Sequence, residues 1–306
     1  MANDFLTPDV IARQALATLY ENLVMVPLIH TDHSANFTGP QKVGNTVNIR
    51  KPAVLTASEF NRATGIVLQD VDEDSIPISL NKIADVSVSV TSEELALDIQ
   101  SFDDQVLTPA TEALGQHIDR AIITEMKTNT VQVAGITPAG FEWDKPEVLI
   151  EAGRLLDIRK VPASLRHAVT GPTTKAKWLN SDLLKHADKS GTTEALRRGS
   201  IGRDLFGIDA YQTQNIVQPA VSPASGQPTT EVGIAFHQSA FALVTAPMEV
   251  PPSAYGSVQS YNGVSIRVVQ DYDITKKRTI ISLDVLYGTK TIDANRAVLL
   301  KGANAA

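Results

Sequence analysis

The densest group of side chains able to do chemistry is Asp70-Val71-Asp72-Glu73-Asp74. Carboxylates at alternate positions open a calcium loop, in which hard oxygen donors wrap the ion. Such a loop also needs glycine at its sixth position and a bidentate glutamate at its twelfth, and Ser75 and Asn81 stand there instead. The run therefore reads as a solvated acidic tip, with pairing to Arg or Lys of another subunit as a second reading. His30, Asp32 and His33 are near enough in sequence to ligate a metal, but an irregular segment does not preorganise them, so they read as surface side chains. His117, His167, His186 and His237 are scattered singly and read as structural. Gly199-Ser200-Ile201-Gly202, after Arg197-Arg198, offers backbone N–H groups to an anion yet reads as a turn before a strand. Lys276-Lys277-Arg278 reads as a solvated hairpin end.

No G-x-S-x-G elbow, phosphate-binding G-x-x-x-x-G-K-[ST] loop, G-x-G-x-x-G turn or H-E-x-x-H helix occurs. Cysteine is absent, which removes disulfides, thiolate catalysis and Cys-ligated zinc. No catalytic, cofactor-binding or metal-ligating residue is assigned, and the chain is not read as an enzyme. The 306 residues are 43% hydrophobic and 20% charged, an ordinary globular composition. A net charge of −7 argues against a free-standing nucleic-acid binder, whose affinity comes from a basic face. Met1 to Phe5 show no basic region before an apolar run, and no stretch reaches the ~18 apolar residues of a membrane span. The expectation is a protein kept in cytoplasm-like solvent without a membrane partner.

The elements that must carry these residues follow from periodicity. Thr7-Pro8-Asp9 starts a helix whose Ile11, Ala15, Leu16, Leu19 and Leu23 share one face up to Pro27. The longest helix is expected from about Asp104 to Lys127, with Leu107, Ala110, Leu114, Ile118, Ala121 and Ile122 as its stripe. A third helix is expected over Asp144 to Asp157, then a strand at His167-Ala168-Val169-Thr170 closed by Gly171-Pro172, and a short helix over Thr173 to Ser181. Phe206 to Tyr211 reads as strand, 218 to 231 as a surface loop, and Ala240 to Thr245, Ser265 to Asp271 and Arg278 to Leu286 as strands. Thr46 to Arg50 and Val86 to Val90 alternate as half-buried strands around an acidic, polar excursion that cannot bury itself. A two-stranded ribbon of that length is marginal alone, so it should project and rest on a neighbouring copy.

Three stretches in this order resemble a known family: LLDIRKVPASLRHAVTGP from Leu155, GSIGRDLFGIDAYQTQN from Gly199, and RVVQDYDITKKRTIISLDVLYG from Arg267. With the arm and the loop they are similar to the major capsid proteins of tailed bacteriophages. The resemblance implies an α+β chain with the HK97-like capsid fold. Its parts would be an N-terminal arm (1–45), an extended β-hairpin loop (46–92), a peripheral domain with a long spine helix (93–145), an axial α/β domain (146–255), and a C-terminal hairpin and strand (256–306) returning to the peripheral domain. It implies hexamers and pentamers closing into an icosahedral virion shell around double-stranded DNA, bound without sequence specificity and assembled in the host cytoplasm. A separate scaffolding protein is expected because about 45 residues precede the loop; a portal protein and a decoration protein are the other implied partners. Some relatives crosslink a lysine to an asparagine. Lys51 and Lys82 lie in or near the loop, but no partner asparagine aligns, so no crosslink is expected.

Symmetry then suggests that Arg50, Lys51 and Arg62 pair with Glu59, Asp70, Asp72, Glu73 and Asp74 across subunits, each exposed pair adding ~0.2 to 1 kcal/mol. A bacterial encapsulin-type nanocompartment shell, told apart by enzyme cargo, is the alternative within the fold. A soluble hydrolase with an unrecognised Ser, His and Asp arrangement is the alternative from another class.

Overall fold

The computed structural model describes residues 8–31, 46–50, 75–91, 107–185, 205–252, 254–261 and 264–306, with positions 57, 59, 60, 62 and 65 besides. The amphipathic start forms helix α1 (Pro8–Asn22). Its predicted face, Ile11, Ala15, Leu16 and Leu19, is buried. The longest helix, α2 (Thr108–Asn129), has Pro109 in its first turn and buries Ala110, Leu114, Ile118 and Ile122 as the stripe required. It starts four residues later than expected from Asp104, and residues 92–106 lie outside the described set.

The first sheet contains β3 (Lys82–Thr91), β8 (Phe241–Ala246), β9 (Tyr255–Tyr261), β10 (Val264–Asp273) and β11 (Arg278–Thr291). Its order is β3-β11-β10-β9, with β8 pairing the far end of β11. The pairing is antiparallel throughout, and the β10–β11 hairpin puts Arg267 opposite Asp284 and Asp273 opposite Arg278. Period two divides the faces. Val264, Ile266, Val268, Ile281, Leu283, Val285 and Tyr287 join α1 and α2 in the largest core. On the other face Arg267 and Asp284 form a bidentate pair, with Nε to Oδ1 at 2.9 Å. Asp85 sits directly opposite Asp284 and accepts from Ser282 Oγ at 2.8 Å. The Arg267 guanidinium, on the far side of Asp284 from Asp85, attracts both carboxylates and offsets part of their repulsion across β3 and β11.

The second sheet has the order β4-β12-β7-β5-β6, from β4 (Val133–Ala134), β5 (Arg166–Thr170), β6 (Asp209–Gln212), β7 (Gly233–His237) and β12 (Ala297–Leu300). β5, β7 and β12 are buried at every position. Val169, Ile234, Phe236 and Leu299 face the large core, while Ala168, Ala235, Val298 and Leu300 face a second one. That second core is closed by Leu149, Ala152 and Leu156 of α3 (Val148–Ile158) and by Trp178 of α4 (Pro172–Leu179). A short helix α5 (Asp182–Lys185) follows. The α3 boundary differs from the expected Asp144 start because i to i+3 turns at Val148, Leu149 and Ile150 precede the α-helical bonds.

Sequence alternation assigned the loop's return strand to Val86–Val90, and here the structure differs. β1 (Thr46–Arg50) pairs antiparallel with β2 (Ser75–Ser79), in the register Asn48 to Pro77. Residues 82–91 belong instead to the first sheet, against β11. Pro77 is accommodated in β2 because a two-stranded ribbon has only edge strands, where proline is tolerated. Ile49, Ile78 and Leu80 pack with Ala242, Val244 and Ala246 in a third, small core, so the stem of the ribbon rests on its own chain.

Candidate functional site

Charged groups in or at the edge of the core show how the body is made rigid. Asp119 of α2 accepts Val24 N–H at 3.1 Å and Met25 N–H at 3.3 Å, and Asn215 Nδ2 reaches it at 3.4 Å. It ties the exit of α1 and the turn after β6 to the long helix. Burial pushes its carboxyl up to about 6, against the pull of those donors. Glu231 sits at the N-terminus of α4 and accepts Thr173 N–H at 2.9 Å, Thr174 N–H at 2.7 Å, Thr174 Oγ1 at 2.9 Å and the Gln218 amide. Burial alone would raise this carboxyl, but the donors outweigh it and hold it below the usual range. Gly171 is required there, since a Cβ would lie 2.6 Å from the Glu231 carboxylate. Arg166 is buried and donates to Pro162 O, Val161 O and Asp157, fixing the turn between α3 and β5. Arg267 with Asp284 completes the set.

The described histidines are built into this frame, while His186 and the turn Gly199-Ser200-Ile201-Gly202 lie outside the described residues. His30 pairs with β8 through its backbone, with N–H to Phe241 O at 3.1 Å and its carbonyl accepting Leu243 N–H at 3.0 Å. It straps the arm's exit to the sheet, whereas Asp32 and His33 lie outside the described residues. His167 is buried beside Asp209 at 3.7 Å, and burial lowers its basicity. His237 Nδ1 accepts Ser239 N–H at 3.2 Å and lies 2.9 Å from Ser239 Oγ. Among the described residues, this serine-histidine contact is where a hydrolytic pair is to be sought. Ser239 Oγ, however, also accepts Arg296 Nη1 at 2.6 Å, and the imidazole caps the local Gln238–Ala240 turn. The hydroxyl is thus committed to Arg296, and among the described residues no carboxylate is hydrogen-bonded to the ring's second nitrogen to orient it as a base. Among the described residues, no group of three or more His, Asp and Glu side chains is placed to hold a metal ion.

Three of the charged residues expected at assembly contacts are described. Arg50 ends β1, and Glu59 and Arg62 are exposed. Lys51, Asp70, Asp72, Glu73 and Asp74 lie outside the described residues. Phe60, between Glu59 and Arg62, is 66% exposed. The anchor of the ribbon was not legible: Gly288 of β11 allows Ser79 to approach so closely that a Cβ would be 2.5 Å from Ser79 O. Sequence reasoning also passed over a cleft of about 400 Å³ between α2 and the first sheet, bordered by Lys82, His117, Arg120 and Tyr287. Those positions are distant in sequence, and only the β3–β11 register and the helix over it bring them together.

No protein-family model matches the chain, and no curated protein matches it. Solved structures do. A structure titled for Mycobacterium phage Che8 superposes with a TM-score of 0.68 at 19% identity, covering 90% of each chain. The mature capsid of bacteriophage PhiM1 superposes at 0.59 and 13% identity, over 87% of this chain and 84% of that one. A virus-like particle from Pyrococcus furiosus superposes at 0.51 and 16% identity, over 94% and 98%. No helix among the described residues is long and apolar enough to cross a membrane. A helical arm strapped to a sheet, a ribbon on its margin, a long helix and a second sheet with three fully buried strands make this chain an example of the HK97-like capsid fold.

Proposed function

We propose that the chain is the structural subunit of an icosahedral phage head, assembling as hexamers and pentamers around double-stranded DNA and performing no catalysis. The observation that carries this reading is the likeness to a mature phage capsid over 87% of the chain. Rings of five and six present one surface to slightly different neighbours, so rigid bodies must be joined by contacts that tolerate rotation. The charged ties at Asp119, Glu231 and Arg166 supply the rigid bodies. The ribbon, whose described stem rests on its own chain through the small core around Ile49 and Ile78, supplies the adaptable contact. Its charges at Arg50, Lys51, Glu59, Arg62, Asp70, Asp72, Glu73 and Asp74 set register across subunits, with apolar area such as Phe60 adding affinity. A separate scaffolding protein sets curvature, a portal protein takes one vertex, and a decoration protein binds the outside. Assembly takes place in the host cytoplasm, and the product is the virion.

A second reading, a nanocompartment shell, is favoured by the likeness to the Pyrococcus furiosus particle. The test is electron microscopy with light scattering on the purified chain, with and without its candidate scaffold. Closed polyhedral particles, or aberrant shells that the scaffold corrects, support the phage head. Closed scaffold-free shells holding enzyme cargo favour the nanocompartment, and a monodisperse monomer or dimer under both conditions refutes both.

A further inference from the structure

The chain passes from the second sheet to the first where β7 leads into β8 through the turn Gln238–Ala240, and it returns where β11 leads into β12 through the turn Ala294–Arg296. These crossings lie side by side. Ala240 O accepts Ile292 N–H at 2.8 Å and Asp293 N–H at 3.1 Å. Arg296 Nη1 donates to Ser239 Oγ at 2.6 Å, so a side chain of the second crossing is bound to the first. Each turn is also capped by a side chain at its start. Asp293 Oδ1 accepts Asn295 N–H at 3.0 Å, and His237 Nδ1 accepts Ser239 N–H at 3.2 Å. A carboxylate is an acceptor throughout the neutral range, whereas an imidazole nitrogen accepts only while it carries no proton.

The surroundings fix that protonation state. A guanidinium only donates, so Ser239 Oγ accepts from Arg296 and turns its own hydrogen towards His237 Nδ1, 2.9 Å away. Nδ1 therefore faces two donors, and the neutral ring carries its proton on Nε2. The charges acting on the ring come from Arg296 of the second crossing, from Arg166, which is paired with His237 in the β5–β7 register, and from His167 next to it. The neighbouring acids are engaged elsewhere: Asp157 of α3 with Arg166 at 2.6 Å, Asp293 with Arg296 at 3.3 Å, and Asp209 beside His167 at 3.7 Å. Arg159, at the end of α3, donates to Asn295 O at 3.2 Å. Burial, with those cations, lowers the His237 pKa from its ordinary 6.5. A proton on Nδ1 sets one N–H against another, opens the cap and adds a charge beside two guanidinium groups.

We propose that His237 is a pH-sensitive clasp on the joint between the two sheets: neutral, it caps the β7–β8 crossing and holds it to the β11–β12 crossing, and protonated, it lets the joint loosen. The inference concerns one folded chain and does not rest on the shell reading. Its sign follows from the lowered folded value: the clasp's contribution is complete above the unfolded 6.5 and is lost as pH falls from there towards the folded value. The test is hydrogen exchange of the full chain, corrected for the intrinsic pH dependence of exchange, in wild type and in His237→Asn, whose amide oxygen keeps an acceptor at the cap but takes up no proton. Between about pH 7.5 and about pH 5.5, protection at 237–241 and 292–297 falls about threefold or more in wild type and holds in the variant. Nitrogen NMR of the His237 ring in wild type is the second measurement and stands even where the variant fails to fold: it shows the Nε2–H form at neutral pH and titration below 6.5. Constant wild-type protection on acidification, or an equal loss in His237→Asn, overturns the clasp. So does a ring that carries its proton on Nδ1 at neutral pH, or one that titrates at or above 6.5.

Discussion

Gly288→Ala tests how the ribbon is attached. The added Cβ would stand 2.5 Å from Ser79 O, 3.1 Å from Ser79 C and 3.4 Å from Ile78 Cγ2. The first two contacts are backbone, so no side chain can rotate away. Restoring an ordinary separation of about 3.4 Å from the oxygen moves β2 off β11 by nearly 1 Å, and Ile78 leaves its place among Val244, Ala246 and Leu286 with it. Overpacking of this kind costs ~1 to 3 kcal/mol, a sizeable part of a typical domain stability of ~5 to 15 kcal/mol. The loss is local because the first sheet and its two helices do not depend on the ribbon. Hydrogen exchange should therefore speed up in 46–50 and 75–79 and stay unchanged in 278–286, while closed particles decline. Gly153→Ala is the control. It lies within α3, where a Cβ meets nothing within 4 Å, so alanine should stabilise by ~0.5 to 1 kcal/mol. Unaltered exchange at 46–50 and 75–79 in Gly288→Ala would refute the anchoring argument.

Glu231→Gln replaces an acceptor of several donors by an amide whose NH₂ must face some of them, which should cost ~2 to 4 kcal/mol by urea unfolding. Glu231 has a depressed pKa, so its contribution is present above the unfolded value of 4.5 and lost as pH falls through the lower folded value; the glutamine variant should lose less stability in acid. Gly171→Ala should mimic the loss by pushing the carboxylate off the helix end, and a neutral result at either position would contradict the capping role. Asp119 has the opposite sign. Its pKa is raised from 3.8 to about 6, so the folded state takes up the proton first and gains stability as pH falls from 7 towards 4, by up to ~3 kcal/mol. Urea midpoints of wild type minus Asp119→Asn should therefore rise between pH 7 and pH 5, and a flat difference would show that Asp119 is not desolvated as the structure places it.

Periodicity reached the elements that are half-buried and local. Ile11, Ala15, Leu16 and Leu19 marked α1, the stripe from Ala110 to Ile122 marked α2, and the alternation around Tyr272 and Arg278 marked the hairpin, because each element contacts water on one side. It missed β7 and β12, where Gly233–His237 and Ala297–Leu300 are buried on both faces and carry no alternation. It also missed β2, which it left within the polar excursion between the two predicted strands.

Inventory by itself settled what chemistry the chain lacks the residues for: no cysteine, no phosphate loop, and acid concentrated at 70–74. Side-chain identity is local, and so is the charge of a run. Pairing is not. Only the tertiary structure decided that the ribbon closes at Ser75–Ser79, that 82–91 belongs to the first sheet, and that Glu231 caps a helix begun at Pro172. The same holds for Lys82, His117, Arg120 and Tyr287, which become one cleft through a strand register and a helix laid across it, relations that no spacing along the chain encodes.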